Sequence, residues 1–236
     1  MRTLGLLGGM SWESTALYYR LLNEGVKARC GGLHSAPLLL RSFDFARIAE
    51  RQAAGDWAAL GRELGEAGRR LAMAGAEALL ICSNTMHRLH AEVEAAAGVP
   101  VLHIADATGE ALHRAGRRTP ALLGTRFTME GSFYRGRLAQ RHKVEALVPD
   151  EGGRVLVHDV IYDELCRGVV RPESKAAYLQ VIEALRGQGA DGVILGCTEI
   201  TMLIGQDDTD LPVFDTTALH AKAGVSFIIG KDGGKS

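Results

Sequence analysis

Short apolar runs alternate along the chain with longer segments in which apolar and polar residues recur at helical spacing. In residues 4–14, 121–130 and 192–200, an apolar run passes through glycine into a helix-compatible segment. This order is typical of βα units in a parallel sheet, so the pattern predicts an α/β fold. The predicted strands are 3–7, 36–42, 78–82, 101–104, 121–123, 143–147, 193–196 and 212–214. The predicted helices are 14–28, 45–51, 57–73, 88–96, 107–114, 132–139, 154–166, 172–188 and 216–229.

The two halves of the chain resemble each other. Three pairs of segments match in the same order, each pair about half a chain apart: 6–9 with 122–125, 76–85 with 190–199, and 99–101 with 211–213. Chance similarity between glycine-rich strand ends is the alternative to a true repeat. The order of the matches favours two similar α/β domains. We expect the first domain at 1–106, completed by 215–236, and the second at 107–214.

Composition and charge exclude several classes of function. The 236 residues are 47% hydrophobic and carry a net charge of -1, which is typical of a globular chain rather than a disordered one. No block of Lys and Arg is present, which argues against a nucleic-acid partner. The first apolar run is shorter than a secretory core, and no run approaches the roughly 20 residues of a membrane span. We therefore expect a cytoplasmic protein with no membrane partner.

Four cysteines remain to be explained, and they include no CxxC pair and no neighbouring histidines at zinc spacing, so no metal site is expected. Cys197 follows a predicted buried strand and precedes Thr198 and Glu199. A thiol near the backbone N–H groups of a strand end can act as a thiolate base or nucleophile. The alternative is an inert core residue, because free cysteine is among the most buried residue types.

Ser83 is the counterpart of Cys197 in the internal repeat. Side chains alternate along a strand, so Cys82 and Ser83 cannot both face one cleft, and the repeat selects Ser83. In the alternative interpretation, Ser83, Asn84 and Thr85 form an ordinary polar turn that caps a helix. His87 is also ambiguous, because a histidine in such a position is more often a helix-surface or hydrogen-bonded structural residue than a catalyst.

A glycine-rich turn, Gly8-Gly9-Met10-Ser11, leads into the first long helix. Such turns bind anions, but this one lacks the GxGxxG and GxxxxGK[ST] spacings of nucleotide sites. A carboxylate ligand fits it better. Arg47, Arg51 and Gln52 follow the second predicted strand and could pair with a substrate carboxylate, although solvation at the surface is the alternative for the arginines.

Four segments together resemble the cofactor-independent aspartate/glutamate racemases over essentially the whole chain, and are most similar to the bacterial subgroup of broader specificity. The segments are Gly5-Leu6-Leu7-Gly8-Gly9-Met10-Ser11-Trp12, Ser83-Asn84-Thr85-Met86-His87, Leu123-Gly124-Thr125 and Leu195-Gly196-Cys197-Thr198-Glu199. The resemblance implies two pseudo-symmetric parallel-sheet α/β domains with the active site in the cleft between them. It also implies a homodimer, and racemisation by two facing acid/base residues without pyridoxal phosphate or any other cofactor.

Carried over residue by residue, the resemblance places one catalytic residue at Cys197 and the other at Ser83, where many members have a second cysteine. Cys82 is one residue out of register. Some members hold the side-chain carboxylate with a basic residue where this chain has Asp163 and Glu164, so strict aspartate specificity does not follow. The expected substrate-binding residues are Met10, Gln52, Asn84, Thr85, Thr125, Thr198 and Glu199.

The expected function is racemisation of acidic or related amino acids at Cα, with Cys197 as the thiolate base and Ser83 as the opposing hydroxyl. A serine hydroxyl is a poor base, so we expect fast turnover from one enantiomer and slow turnover from the other. The resemblance implies that the fast direction runs from the L to the D enantiomer. Two alternatives stay open. One is a related thiol-dependent isomerase or decarboxylase, of the hydantoin racemase or arylmalonate decarboxylase type. The other is a non-catalytic two-lobed amino-acid-binding protein.

Overall fold

A computed structural model describes residues 1–230. Residues 231–236, which the sequence assigns to the segment completing the first domain, lie outside the described residues. The chain forms two compact units. The first contains Met1–His103 together with the segment that starts at His220, and the second contains Ile104–Leu219.

The first unit is built on a four-stranded parallel sheet in the order β2-β1-β3-β4. Its strands are β1 (Leu4–Gly8), β2 (Leu38–Ser42), β3 (Ala78–Ile81) and β4 (Val101–Leu102). Its helices are α1 (Trp12–Cys30), α2 (Phe45–Ala53), α3 (Trp57–Met73) and α4 (His90–Ala97). A short 3₁₀ turn, Thr85–Leu89, precedes α4.

Helices cover both faces of this sheet, and the alternation of side chains along the strands decides which core each residue joins. Leu6 and Leu80 pack with Tyr18 of α1 in one buried cluster. Leu7 and Ile81, each one residue further along, pack in the other cluster with residues of α2, α3 and α4. The strands therefore read as continuous apolar runs because both of their faces are buried.

The second unit repeats this plan on a three-stranded parallel sheet in the order β5-β6-β7. Its strands are β5 (Ala121–Gly124), β6 (Val193–Gly196) and β7 (Val213–Asp215). Its helices are α5 (Ile104–Arg114), α6 (Arg126–Glu130), α7 (Ser132–Arg137), α8 (Glu151–Asp159) and α9 (Pro172–Gly187). The last helix, α10 (Thr216–Ile229), begins in this unit and ends in the first. Parallel sheets with helices between the strands confirm the predicted α/β class.

Equivalent strands pair in the same register in the two units. Leu6 pairs with Leu80 between β1 and β3, and their sequence counterparts, Leu122 and Ile194, pair between β5 and β6. The segments that match in sequence therefore occupy equivalent places in the two sheets.

A hydrogen bond at the start of the sheets is repeated as well. The Glu77 N–H donates to the Thr3 carbonyl, and the Thr3 N–H donates to Glu77 Oε1 at 2.9 Å. In the second unit the Asp191 N–H donates to the Thr119 carbonyl, and the Thr119 N–H donates to Asp191 Oδ1 at 3.1 Å. An acidic residue before β3 or β6 thus closes the same ring in each half.

One predicted strand, 143–147, is wrong. Residues 138–142 form a turn of π-helix, and Lys143 ends it in the left-handed region with a φ of 57°. Only Leu147 then meets the sheet, through a single bridge to Ala121. The apolar residues Val144 and Ala146 are buried, which explains the strand-like pattern. No helix within residues 1–230 is long and apolar enough to span a membrane.

Candidate active site

Ser83 begins the loop that follows β3. The residue before it, Cys82, donates its backbone N–H to the Leu7 carbonyl at 2.9 Å. The Cys82 side chain is fully buried in the same cluster as Leu80, and burial raises the pKa of its thiol far above the ordinary value. Cys82 is therefore an inert core thiol. Ser83, in contrast, is half-buried.

A histidine holds the backbone of this loop. The Nδ1 of His87 lies 2.8 Å from the Ser83 carbonyl, and because a carbonyl only accepts, Nδ1 carries the proton and donates it. The backbone N–H of His87 donates to the Asn84 carbonyl at 3.1 Å. Asn84 and Thr85 are both buried. His87 thus fixes the position of the Ser83 backbone, a role that the sequence left open.

Two other residues expected at the site lie near this loop in the first unit. The Gln52 amide on α2 donates to the sulfur of Met86 at 3.0 Å, and Met86 belongs to the turn that follows Ser83. Met10, from the loop after β1, packs in the same buried cluster as Met86. The fold therefore brings Met10, Gln52 and the Ser83 loop into one region of the first unit.

Cys197 begins the equivalent loop of the second unit. Ser83 lies three residues beyond Leu80, and Cys197 lies three beyond Ile194, the counterpart of Leu80 in the sheet register. The Cys197 thiol donates a hydrogen bond to Glu199 Oε2 at 2.9 Å. This contact gives the thiol a carboxylate to which it can pass its proton.

The surroundings of Cys197 favour the neutral thiol. Burial, then the negative charge of Glu199 and the proximity of Cys166, raise the pKa of Cys197 well above its ordinary value. Burial also raises the pKa of the Tyr162 and Tyr178 phenols, with Cys197 a smaller cause. Without substrate, the Cys197 sulfur is therefore protonated and lies beside the Glu199 carboxylate. The nearby phenols of Tyr162 and Tyr178 are neutral.

The threonines expected to bind substrate already have structural roles. The hydroxyl oxygen of Thr125 accepts from the Thr128 N–H at 3.3 Å and caps α6. The hydroxyl of Thr198 accepts from Thr217 at 3.5 Å, and the Thr198 carbonyl accepts from the Thr201 hydroxyl at 2.7 Å. Both threonines follow strands of the second sheet, Thr125 after β5 and Thr198 after β6.

Arg47 and Arg51 are the cationic residues that could pair with a substrate carboxylate. Arg51 already forms an ion pair with Glu63 of α3, so its guanidinium is engaged within the first unit. Arg47 is exposed on the surface of α2. In the second unit, Glu164 accepts a hydrogen bond from the Ser174 hydroxyl at 2.6 Å. Arg51 and Glu164 are thus occupied by neighbours of their own unit.

A cluster of histidines under the ends of β3 and β4 is a feature that the sequence does not reveal. The His103 ring lies 4.8 Å from the His87 ring and 4.7 Å from the His90 ring, measured between centroids. The His220 ring, from α10, lies 5.2 Å from His87. His87 and His90 are three residues apart, whereas His103 and His220 come from later segments of the chain. The only local signal is that His87 comes after the predicted strand 78–82 and that His103 lies within the predicted strand 101–104.

The tautomer of His220 follows from its two partners. Its Nε2 lies 2.8 Å from the Leu102 carbonyl, so Nε2 donates, and its Nδ1 accepts from the Tyr18 hydroxyl at 2.8 Å. Burial lowers the pKa of His220 to about 4 and lowers that of His87 well below its ordinary value. The rings of His87 and His220 are therefore neutral near pH 7.

Comparison with known proteins identifies the family and the fold of the chain. The sequence model for the Asp/Glu/hydantoin racemase family matches residues 7–224. A candidate Asp/Glu racemase from Yersinia pestis is 50% identical, with a TM-score of 0.92 over 98% of this chain and 100% of that chain. An aspartate racemase homologue from Pyrococcus horikoshii OT3 is 30% identical, with a TM-score of 0.84 over 98% of this chain and 100% of that chain.

A further relative with lower sequence identity is also a racemase. The broad-specificity amino-acid racemase RacX of Bacillus subtilis (strain 168) is 23% identical over 164 residues, which are 66% of this chain and 67% of the relative.

Proposed function

Because the chain belongs to the Asp/Glu/hydantoin racemase family, whose relatives named above are racemases and therefore isomerases, we propose that it racemises aspartate, glutamate or related amino acids at Cα. The reaction needs a base to remove the α-proton and an acid to return a proton to the opposite face. In this proposal side chains of the protein supply both groups, and no cofactor takes part.

The observation that carries the proposal is the hydrogen bond from the Cys197 thiol to Glu199. A buried thiol with a raised pKa is a poor base until its proton leaves. Glu199 can accept that proton, which leaves a thiolate beside a neutral carboxylic acid. A substrate ammonium group near the sulfur would favour this transfer, because a positive charge stabilises the thiolate. Cys197 then takes the α-proton and becomes a thiol again.

Ser83 is the second acid/base residue of the proposal, so each unit contributes one. Its equivalence with Cys197 in the sheet register supports this assignment. The hydroxyl donates or relays a proton to the carbanion, but it is a poor base in the reverse direction. Turnover that starts with Cys197 as base is therefore the faster direction, and we assign this direction to the L enantiomer as part of the proposal.

Thermodynamics limits how the kinetic constants of the two directions can differ. Enantiomers have equal free energies in water, so kcat/KM must be the same in both directions. A lower kcat for the D enantiomer must then be accompanied by a proportionally lower KM. Equal kcat values for the two enantiomers, measured by chiral chromatography, would count against the asymmetric pair.

We assign substrate binding to side chains of helix α2, of the loops that carry Ser83 and Cys197, and of the loops after β1 and β5. The amide and hydroxyl groups among them hold the α-carboxylate and ammonium of the amino acid, and Met10 provides apolar contact. The assigned residues are Met10, Gln52, Asn84, Thr85, Thr125, Thr198 and Glu199.

We further propose that the enzyme acts in the cytoplasm as a homodimer on a small-molecule substrate. All four cysteines are free thiols, which suits a reducing compartment. Sedimentation velocity at micromolar concentration tests the dimer, because a single monomeric species would contradict it.

Exchange of the α-proton with solvent tests the proposed function. Each amino acid is incubated with enzyme in deuterium oxide, and loss of the α-proton signal is followed by NMR. We expect exchange with aspartate, glutamate or a related amino acid, and a decrease of about 10²-fold or more in Cys197→Ala. Cys82→Ala removes the buried core thiol next to Ser83 in the first unit and should keep most of the exchange.

Two results would oppose the proposal. Undiminished exchange in Cys197→Ala would remove the thiol from the mechanism. Tight amino-acid binding without exchange in the wild type would favour a binding protein, and release of carbon dioxide from a malonate substrate would favour a decarboxylase.

A further inference from the structure

The second unit carries a groove of about 420 Å³ at the end of α5, lined mainly by cationic side chains. The chain as a whole has a net charge of -1, so this concentration of positive charge is local. The basic groove, as we call it, is lined by Arg114, Arg118, Arg141, Lys143, the two histidines His113 and His142, and one acidic residue, Glu110.

The backbone on one side of the basic groove has a fixed and unusual shape. Leu138–His142 is a turn of π-helix, and Lys143 closes it with a φ of 57°. Among the described residues, Lys143 is the one non-glycine residue with a positive φ. Single π-turns and residues in sparsely populated backbone regions occur often at functional sites.

Contacts with α5 and with Arg118 fix the position of the π-turn. The His142 ring lies directly over Gly109 of α5, where an added Cβ would come within 2.3 Å of the ring. His142 Nε2 lies 3.0 Å from Asp106, and the His142 carbonyl accepts from Arg118 at 3.1 Å. The segment that carries Arg141 and Lys143 is therefore anchored rather than left to solvent.

The carboxylates near the basic groove do not balance its positive charge. Asp106 is engaged by a bidentate pair with Arg137 at 2.8 and 2.6 Å, which leaves Arg141 at 3.6 Å from the same group. Glu110 lies 3.8 Å from Arg114.

The two remaining cations have no such partner. Neither Arg118 nor Lys143 has a carboxylate within ion-pair distance in the described part of the chain. The nearby Asp191 carboxylate accepts instead from the backbone N–H groups of Arg118 and Thr119. An excess of positive charge thus faces the groove.

We propose that the basic groove binds a small polyanion of the phosphate class, such as a diphosphate or a nucleoside polyphosphate. Arg side chains offer the paired donors that phosphate oxygens accept, and Lys143 adds a point charge. A single groove of this size holds a small molecule. A nucleic acid would instead need a basic stripe along the surface, which the sequence lacks.

The site is independent of the proposed racemase chemistry. Arg118 precedes β5 and Asp191 precedes β6, whereas Cys197 follows β6. Because β5 and β6 run parallel, the basic groove lies at the amino ends of these strands and Cys197 lies at their carboxyl ends.

Isothermal titration calorimetry with inorganic pyrophosphate tests the proposal on the full-length protein. We expect saturable 1:1 binding that weakens as salt is added. The double variant Arg114→Gln/Arg141→Gln should raise Kd by about tenfold or more, since each arginine is exposed and removes one charged donor. The matched control, Arg69→Gln/Arg70→Gln, removes the same charge from exposed pairs on α3 and should leave Kd unchanged.

Competition experiments with other anions define the chemical class of the ligand. ATP should compete with pyrophosphate, and citrate should compete more weakly if phosphate geometry matters. Lys143→Asn removes a charge while asparagine tolerates the left-handed backbone, so it should weaken binding without lowering Tm. The proposal is overturned if pyrophosphate shows no saturable binding, or if the groove variant and the α3 control behave alike. It is also overturned if an oligonucleotide binds at the groove and pyrophosphate cannot displace it.

Discussion

The Cys197 thiol donates a 2.9 Å hydrogen bond to Glu199 Oε2, two residues further along the chain. The carboxylate has two opposite effects on the sulfur. Its negative charge helps to raise the pKa of Cys197, so it disfavours the thiolate in the resting protein. The same oxygen can accept the thiol proton when substrate arrives. A substitution at Glu199 separates these effects.

Glu199→Gln should therefore lower the pKa of Cys197 and slow the proposed racemisation at the same time. The amide removes the negative charge but cannot accept the proton, so kcat should fall by about 10²-fold. The alkylation rate of the Cys197 peptide with iodoacetamide, followed by mass spectrometry against pH, reports the thiol. Its midpoint should move to lower pH. The exposed Cys30 serves as an internal reference in the same digest, and its profile should not move. A profile for Cys197 that stays in place would show that Glu199 does not control the thiol.

Ser83→Cys should raise kcat for the slow direction more than for the fast one. A thiol is a far better base than a hydroxyl, so the variant supplies the missing base of the D-to-L reaction. Because kcat/KM must stay equal in both directions, the ratio of KM for the D enantiomer to KM for the L enantiomer should rise by the same factor as the ratio of their kcat values. Chiral chromatography of initial rates from each enantiomer measures both constants. Ser83→Ala is the control and should lower both directions. Unchanged rates in both variants would remove Ser83 from the mechanism.

The first unit should lose stability in mild acid because two of its buried histidines, His87 and His220, have lowered pKa values. An unfolded histidine titrates near 6.5, whereas the pKa of the folded His220 is about 4. Between these values the unfolded chain binds more protons, so the free energy of unfolding falls as pH decreases below 6.5. The loss is complete near pH 4, and for His220 alone it is about 2 kcal/mol at pH 5. The lowered pKa of His87 acts in the same direction.

Tryptophan fluorescence in urea measures this loss, because Trp12 and Trp57 both lie in the first unit. His220→Gln should be less stable than wild type at pH 7 but should show a shallower dependence on pH. His34→Gln, at an exposed position, should keep the wild-type slope. A slope that is the same in all three proteins would contradict the assignment of the titration to the buried cluster.

The features that the sequence predicts depend on residues close together in the chain, and the features that it misses depend on contacts between distant segments. The strands carry a local signal, since both faces of each sheet are buried and the runs are continuously apolar. The repeat was also visible, and it paired Ser83 with Cys197 as the sheet register does. Strand 143–147 failed because an apolar segment can be buried beside a sheet without joining it, once Lys143 has turned the backbone away. The contacts of His220 with Tyr18 and Leu102 join distant segments, and no local pattern encodes them.

The repeated hydrogen-bond ring at the start of the sheets should contribute unequally in the two units. Asp191 is half-buried and its carboxylate accepts from two backbone N–H groups, those of Arg118 at 2.6 Å and Thr119 at 3.1 Å. Glu77 is exposed, and within residues 1–230 its carboxylate accepts from one backbone N–H group, that of Thr3. Loss of the carboxylate leaves two donors without a charged acceptor in Asp191→Ala, so the free energy of unfolding should fall by about 2 to 3 kcal/mol. In Glu77→Ala water replaces the carboxylate, and the loss should stay below about 1 kcal/mol. Urea unfolding followed by far-UV circular dichroism measures both variants, and Asp191→Asn, which keeps one acceptor oxygen, should lie between them. Equal losses in the two alanine variants would show that burial of the ring does not determine its contribution.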